Sequence, residues 1–300
     1  MQAMGVNPWF ISLLPDERQV LENNKIELLV PLGYNEDLAG LLLLSSKSTF
    51  QPYSMEERRL LKIVGADVAA SIDNANLYEK IKRRQSDTEK VMDGVIHAVS
   101  LVVESRDPYT AGHQRRVAEL ARSIADTMGL SDSQVTGIYV AGLLHDVGKV
   151  AVPAEILNKS GKISQHEYSI IKSHSQVGYE ILNKINFPWP VTTAILQHHE
   201  RLDGSGYPAG ISGTEIILEA RIIGVADVVE AMSSHRPYRP ALGLGAALRE
   251  ITAKRGVLYD PQVVDTCLSL LQKNQGAFDR IIAVAATGQQ RILAEIVKGN

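Results

Sequence analysis

An apolar helical run through Ile138, Val140, Ala141, Leu143 and Leu144 ends on His145-Asp146-Val147-Gly148-Lys149. A run of that kind is buried, and a polar pair at its end needs partners. A metal ion supplies one kind of partner; a hydrogen-bonded helix terminus supplies the other. His198-His199-Glu200 repeats the theme, with Ile195 and Leu196 leading in and Gly204-Ser205-Gly206-Tyr207-Pro208 closing the helix. Neighbouring helical residues point about 100° apart. Both histidines therefore reach one centre only near a helix end or around more than one ion. Asp227 lies among Ile222, Ile223, Val225, Ala226 and Val228, where a carboxylate is costly unless paired or metal-bound.

The chain has eight histidines, and His113, His145, His174, His198 and His199 fall where a ligand is plausible. With Asp146 and Asp227 they form a donor set sufficient for two ions that keep open coordination positions. An Asp adjacent to a His can bridge the two ions. His97, His166 and His235 lack such a context and read as surface or packing residues.

Taken in order, 25–32 and 38–45 are short apolar runs joined by Gly33-Tyr34-Asn35-Glu36-Asp37, the pattern of a hairpin. Ser54 with Glu57 forms a capping box for a helix through Leu60, Leu61, Val64, Val68, Ile72 and Ala75. A second helix is expected over 78–103, charged at first and apolar from Val91. It can pair with a second copy as a coiled coil. From Asp107 the pattern is helical, over 111–128, 131–146, 164–182, 189–200, 214–233, 244–254 and 261–272. The expected organisation is an N-terminal α+β fragment over 1–80, a connecting helix over 81–105, an all-α domain over 106–273 and an extension over 274–300.

Two resemblances follow. PLGYNEDLAGLLLL (31–44), the F-x-P-Y-S-x-E-E-R-R-L-L stretch and VAASIDNANLYEK resemble the C-terminal half of a GAF domain. The first half is not represented, so that family's small-molecule pocket is incomplete here. DPYTAGHQRRV (107–117), LLHDVGKVAVP (143–153), IKSHSQVGYEIL (171–182), ILQHHERLDGSGYP (195–208), IIGVADVVEAM (222–232) and RPYRPA (236–241) resemble the HD-GYP branch of the HD phosphohydrolases. The resemblance implies a mainly α, HD-type fold that hydrolyses cyclic di-GMP to the linear dinucleotide, and in some members onward to GMP. It places metal ligands on His113, His145, Asp146, His174, His198, His199 and Asp227. Lys149 falls beside the metals, and Tyr207, Arg236 and Arg239 contact the phosphates or guanine. Iron or manganese is favoured, with zinc or nickel compatible with the same donors. Some members hold a third metal with a glutamate where this chain has Tyr109, so two ions are expected.

The chemistry implied is phosphodiester hydrolysis by two metals about 3.5–4 Å apart, with a bridging hydroxide as nucleophile. His113, His145 and Asp227 go to one ion, His174, His198 and His199 to the other, and Asp146 to both. Lys149 orients the nucleophile or faces the scissile phosphate. Mixed cyclic GMP-AMP is the alternative substrate, and a weakly active dinucleotide-binding signalling module is the alternative role, with protein partners.

A formal net charge of −3 gives no global basic field for nucleic acid. Cys267 is the sole cysteine, which excludes an internal disulfide and favours a reducing, cytoplasmic compartment. No apolar run approaches the roughly 18 residues of a membrane span.

Overall fold

The computed structural model describes residues 15–34, 37–106, 112–159, 161–234 and 241–273. The chain divides into two compact units, 1–90 and 91–300.

In the first unit a short helix, α1 (Pro15–Asn23), precedes the strands β1 (Ile26–Tyr34) and β2 (Asp37–Ser45). These pair antiparallel, with Val30 opposite Leu42, as the alternation of apolar runs and turn residues required. Val30 is buried on the helix that follows, where a Cβ on Gly65 would meet its Cγ1 at 3.0 Å. That helix, α2 (Met55–Arg106), begins with the expected box: Glu57 N–H donates to Ser54 Oγ and Ser54 N–H to Glu57 Oε2. The sequence reading divided this stretch into a helix ending near Ala75 and a connector over 81–105. It is one helix, because no proline or glycine interrupts it between them.

The second unit is all helix among its described residues. Its helices are α3 (His113–Thr127), α4 (Asp132–Leu144), α5 (Ala154–Leu157), α6 (Gln165–Lys172), α7 (His174–Leu182), α8 (Val191–Gln197), α9 (Leu218–Ser233), α10 (Leu244–Ala253) and α11 (Pro261–Lys273). A 3-10 turn spans Val147–Ala151. On α3, Val117, Leu120, Ala121 and Ile124 recur at helical spacing and bury one face. α4 is apolar nearly all round and is correspondingly central, started by a capping box between Ser131 and Gln134. Gly142 lets the backbones of α4 and α3 approach, since a Cβ there would lie 2.7 Å from the Ala118 Cα. Ile138, Leu143, Ile195, Ile222, Ile223 and Ile251 are fully buried in the shared core. Burying each stabilises the fold by roughly 1.5–3 kcal/mol.

One expected helix, 164–182, is two. The Ser173 hydroxyl donates to the Ile170 carbonyl at 2.7 Å, and His174 Nδ1–H to the Ile171 carbonyl at 2.7 Å. Side chains thus take the acceptors that the next turn would need, and the chain bends. The expected helix over 214–233 likewise opens with a separate 3-10 turn, Gly213–Glu215, before α9. His97 packs in the core, 3.6 Å from Asp93, while His166 is on the surface. Cys267 is buried and free, its thiol pushed up to about 12 by burial. No described helix is long and apolar enough to cross a membrane. Residues 274–300 lie outside the described set.

Candidate metal centre

Three histidines occupy matching places at helix ends. His145 caps α4, His198 caps α8, and His174 follows Ser173, the capping residue of α6. The last carbonyls of a helix have no partner within it. Each imidazole supplies one: Nδ1–H donates to Gly142 O at 2.7 Å, to Ile195 O at 2.6 Å and to Ile171 O at 2.7 Å respectively. A carbonyl can only accept, so the proton of each ring is fixed on Nδ1. Each Nε2 is left with an outward lone pair, the form that binds metal. His113 begins α3, and its Nδ1–H donates to a carboxylate oxygen of Glu230 on α9.

The Nε2 atoms converge. Those of His174 and His198 lie 3.4 Å apart, two lone pairs facing each other with no proton between them. His145 Nε2 is buried without a hydrogen-bond partner. His113 Nε2 lies 3.3 Å from Asp227 Oδ1, and His145 Nε2 is 4.0 Å from the same oxygen. Donor atoms of His113, His145 and Asp227 fall within 4.8 Å of one another, as do those of His174, His198 and His199. Asp146 faces both groups: Oδ1 is 3.5 Å from His174 Nε2, and Oδ2 is 3.4 Å from His145 Nε2 and 3.8 Å from His113 Nε2. These residues are 0–2% exposed at His113, His145, His174 and His198 and 4% at Asp146. Opposed lone pairs at such depth are repulsive unless a cation lies between them. The donor set therefore fits divalent metal ions, and the sequence-predicted ligands are brought together without exception.

Burial pushes the Asp146 carboxyl up, but Lys149 and the surrounding imidazoles outweigh it and hold it well below the usual carboxylate range. Burial acts the same way on Asp227, where the hydrogen bond and charge of His113 prevail. Burial lowers His174, His199 and His198, the last to about 3, so the rings stay neutral and ligand-competent. An unfolded His takes up its proton near 6.5, whereas folded His198 resists until about 3. The metal-free protein is therefore expected to lose stability as pH falls through that window, by on the order of 3 kcal/mol at pH 4 from this residue. Thermal melts of chelator-treated protein check this. A melting temperature flat from pH 7 to 4.5 would show that the rings exchange protons freely.

Lys149 Nζ donates to Asp146 Oδ2 at 2.7 Å. Tyr207 stacks on His199, with ring centroids 4.6 Å apart and an interplanar angle of 30°, so one of its faces already holds a ligand ring. Arg236 and Arg239, the other expected substrate contacts, lie outside the described residues, as does Tyr109.

Sequence reasoning missed two carboxylates. Glu230 is 1% exposed and orients His113; the signal was a second acid one turn beyond Asp227 on the same apolar helix. Glu200 is 4% exposed, and its Oε1 accepts from the backbone N–H groups of Ala209 at 2.8 Å and Gly210 at 3.1 Å. It pins the Gly-Tyr-Pro loop against the helix end. Gly206 permits that approach, since a Cβ there would lie 2.4 Å from the Glu200 Cα.

Residues 97–263 match the HD domain family. A cyclic di-GMP phosphodiesterase response regulator of Xanthomonas campestris is 38% identical over 64% of this chain and 52% of its own length. A cyclic di-GMP phosphodiesterase of Thermotoga maritima is 42% identical over 59% of this chain and 48% of its own. A 3'3'-cGAMP-specific phosphodiesterase of Vibrio cholerae is 36% identical over 61% of this chain and 39% of its own. The chain spans about half the length of these relatives, or less.

Proposed function

Because the chain belongs to the HD domain family, we propose that it is a metal-dependent phosphodiesterase hydrolysing cyclic di-GMP to linear pGpG, with GMP as a further product. The observation that carries this is the opposed pair of Nε2 atoms 3.4 Å apart, both Nδ1 protons being committed elsewhere. A nucleotide-binding pocket has no use for such a pair; a hydrolytic metal centre does. Names of the relatives support the substrate class.

His113, His145 and Asp227 would hold one ion, His174, His198 and His199 the other, and Asp146 both. Two divalent ions supply an activated water and neutralise charge on the phosphate. Iron or manganese is our assignment for them, with zinc or nickel admitted by the same donors. The protein's own part is positional. Asp146 presents one oxygen to each group. Lys149 holds that carboxylate by Oδ2 and brings positive charge to the rim where a phosphate would approach. Tyr207, stacked on His199 with Lys172 Nζ 5.8 Å from its ring centroid, would meet a base of the substrate. Arg236 and Arg239 would fork onto phosphate or a guanine edge.

Mixed cyclic GMP-AMP is the second substrate to test, since the Vibrio cholerae relative is named for it. Anaerobically purified protein, assayed for metal content and for turnover of both dinucleotides, decides the matter. Turnover of cyclic di-GMP in preference supports our reading. Full metal content without turnover of either would leave a binding module.

The compartment we assign is the cytoplasm, in keeping with the single free cysteine. The first unit we read as the C-terminal part of a GAF-like sensory domain that relays a signal to protein partners. A homodimer through α2 fits that relay. Leu60, Val64, Tyr78, Ile81, Met92, Val95 and Val102 are exposed and fall on two positions of a seven-residue repeat, a seam interrupted by polar residues at 67–74 and 85–88 that a second α2 would cover. Light scattering is expected to give twice the 32.8 kDa chain mass, and a monomer at assay concentration would end this reading.

A further inference from the structure

Among the four imidazoles whose Nδ1 contacts are described, three are oriented by backbone carbonyls and one by a carboxylate. The exception, His113, belongs to the group that also contains Asp227. Glu230 is not a loose neighbour. One oxygen accepts from His113, and the other, Oε1, accepts from Arg116 Nε at 2.7 Å and Ser234 Oγ at 2.6 Å. The carboxylate is thus clamped at both ends. The Arg116 guanidinium pairs with it as a counter-charge.

The two ligand groups therefore differ in the carboxylates that serve them. Asp146 is common to both. The His174–His198–His199 group adds only imidazoles. The His113–His145–Asp227 group adds the Asp227 carboxylate directly, and the Glu230 carboxylate behind His113. A negative acceptor on Nδ1–H raises the basicity of the opposite nitrogen and stiffens the ring. In a poorly screened interior, both effects favour a dication on that side. Arg116 on Glu230 Oε1 and Lys149 on Asp146 Oδ2 each offset part of that charge.

We propose that Glu230 is a positioning residue that makes the His113–His145–Asp227 position the tighter of two metal sites, and so the first to fill. The proposal rests on the two-ion reading above. It assigns an order of loading that the ligand set alone does not.

The test is titration of Mn²⁺ into metal-stripped protein, followed anaerobically by calorimetry and electron paramagnetic resonance, with no activity readout. Wild type is expected to bind in two steps. Asp227→Ala removes the tighter step and His199→Ala the weaker, which assigns them. Glu230→Gln then weakens the tighter step by about 10- to 100-fold, the range for residues that orient a metal histidine, and leaves the weaker step unchanged. Ser234→Ala, at the partly exposed end of α9, removes one clamp and weakens the same step by less; it keeps the test open if Glu230→Gln fails to fold. Two steps that Glu230→Gln and Ser234→Ala leave alone, or a shift confined to the step lost in His199→Ala, would overturn the role of Glu230 alone. Fewer than two ions in wild type would sink the two-ion reading and this inference together.

Discussion

Asp146→Ala is expected to lose both turnover and metal. Its two oxygens each address a different ligand group, at 3.5 Å from His174 Nε2 and 3.4 Å from His145 Nε2. Removing it takes away the carboxylate that Lys149 meets at 2.7 Å and so leaves the neighbourhood of both ligand groups more positive. Changing a residue that only orients a ligand costs 10- to 100-fold, and a shared ligand should cost more than about 100-fold in kcat/KM. Metal content should fall below one ion per chain. Asp146→Asn, which keeps the shape and removes the charge, should behave nearly as badly. Wild-type metal content with retained turnover in either variant would remove Asp146 from its bridging role.

The second large effect is on folding. A Cβ at Gly148 would lie 1.9 Å from the carbonyl oxygen of His174 and 2.6 Å from the backbone nitrogen of Gly178. Both are backbone atoms of α7, so no rotamer change relieves the overlap. Gly148→Ala should cost about 3 kcal/mol or more, which lowers the melting temperature by roughly 10 °C for a domain of this size. The 3-10 turn must move off α7, and His174 moves with it, so metal affinity should fall too. Gly94→Ala is the matched control: nothing lies within 4 Å of its added Cβ, and it sits inside α2. That change should be neutral or stabilise by up to about 1 kcal/mol. Equal melting temperatures for the two variants would show that the close approach at Gly148 is relaxed in solution.

Much of the centre was legible because its chemistry contradicts its surroundings. His145-Asp146, His198-His199 and Asp227 are polar groups on apolar helices, and burial without partners is costly enough to demand an explanation. The helical pattern of the second unit was equally plain, since most of its helices keep one apolar face. The break at Ser173 was not, because it depends on side chains capturing carbonyls, and no periodicity records that. Glu230 was passed over for a related reason. An acid near a helix C-terminus usually meets solvent, and only the packing of α9 against α3 turns this one onto His113. The continuity of α2 was hidden by its composition. Its charged middle reads as a boundary, although nothing in it stops a helix.

The seating of His145 and His198 at helix ends restricts which changes in chain length the fold can absorb. A residue inserted within α4 or α8 turns everything after it by about 100° and advances it about 1.5 Å. The capping imidazole would then swing away from its neighbours while the helix itself survived. Among the described residues, the stretch after Gly256 contains none of the candidate ligands, so added residues there leave their register intact. The lengths of α4 and α8 are in this sense counted to the residue, as the teeth of a gear are, whereas the length of a surface turn is free to drift.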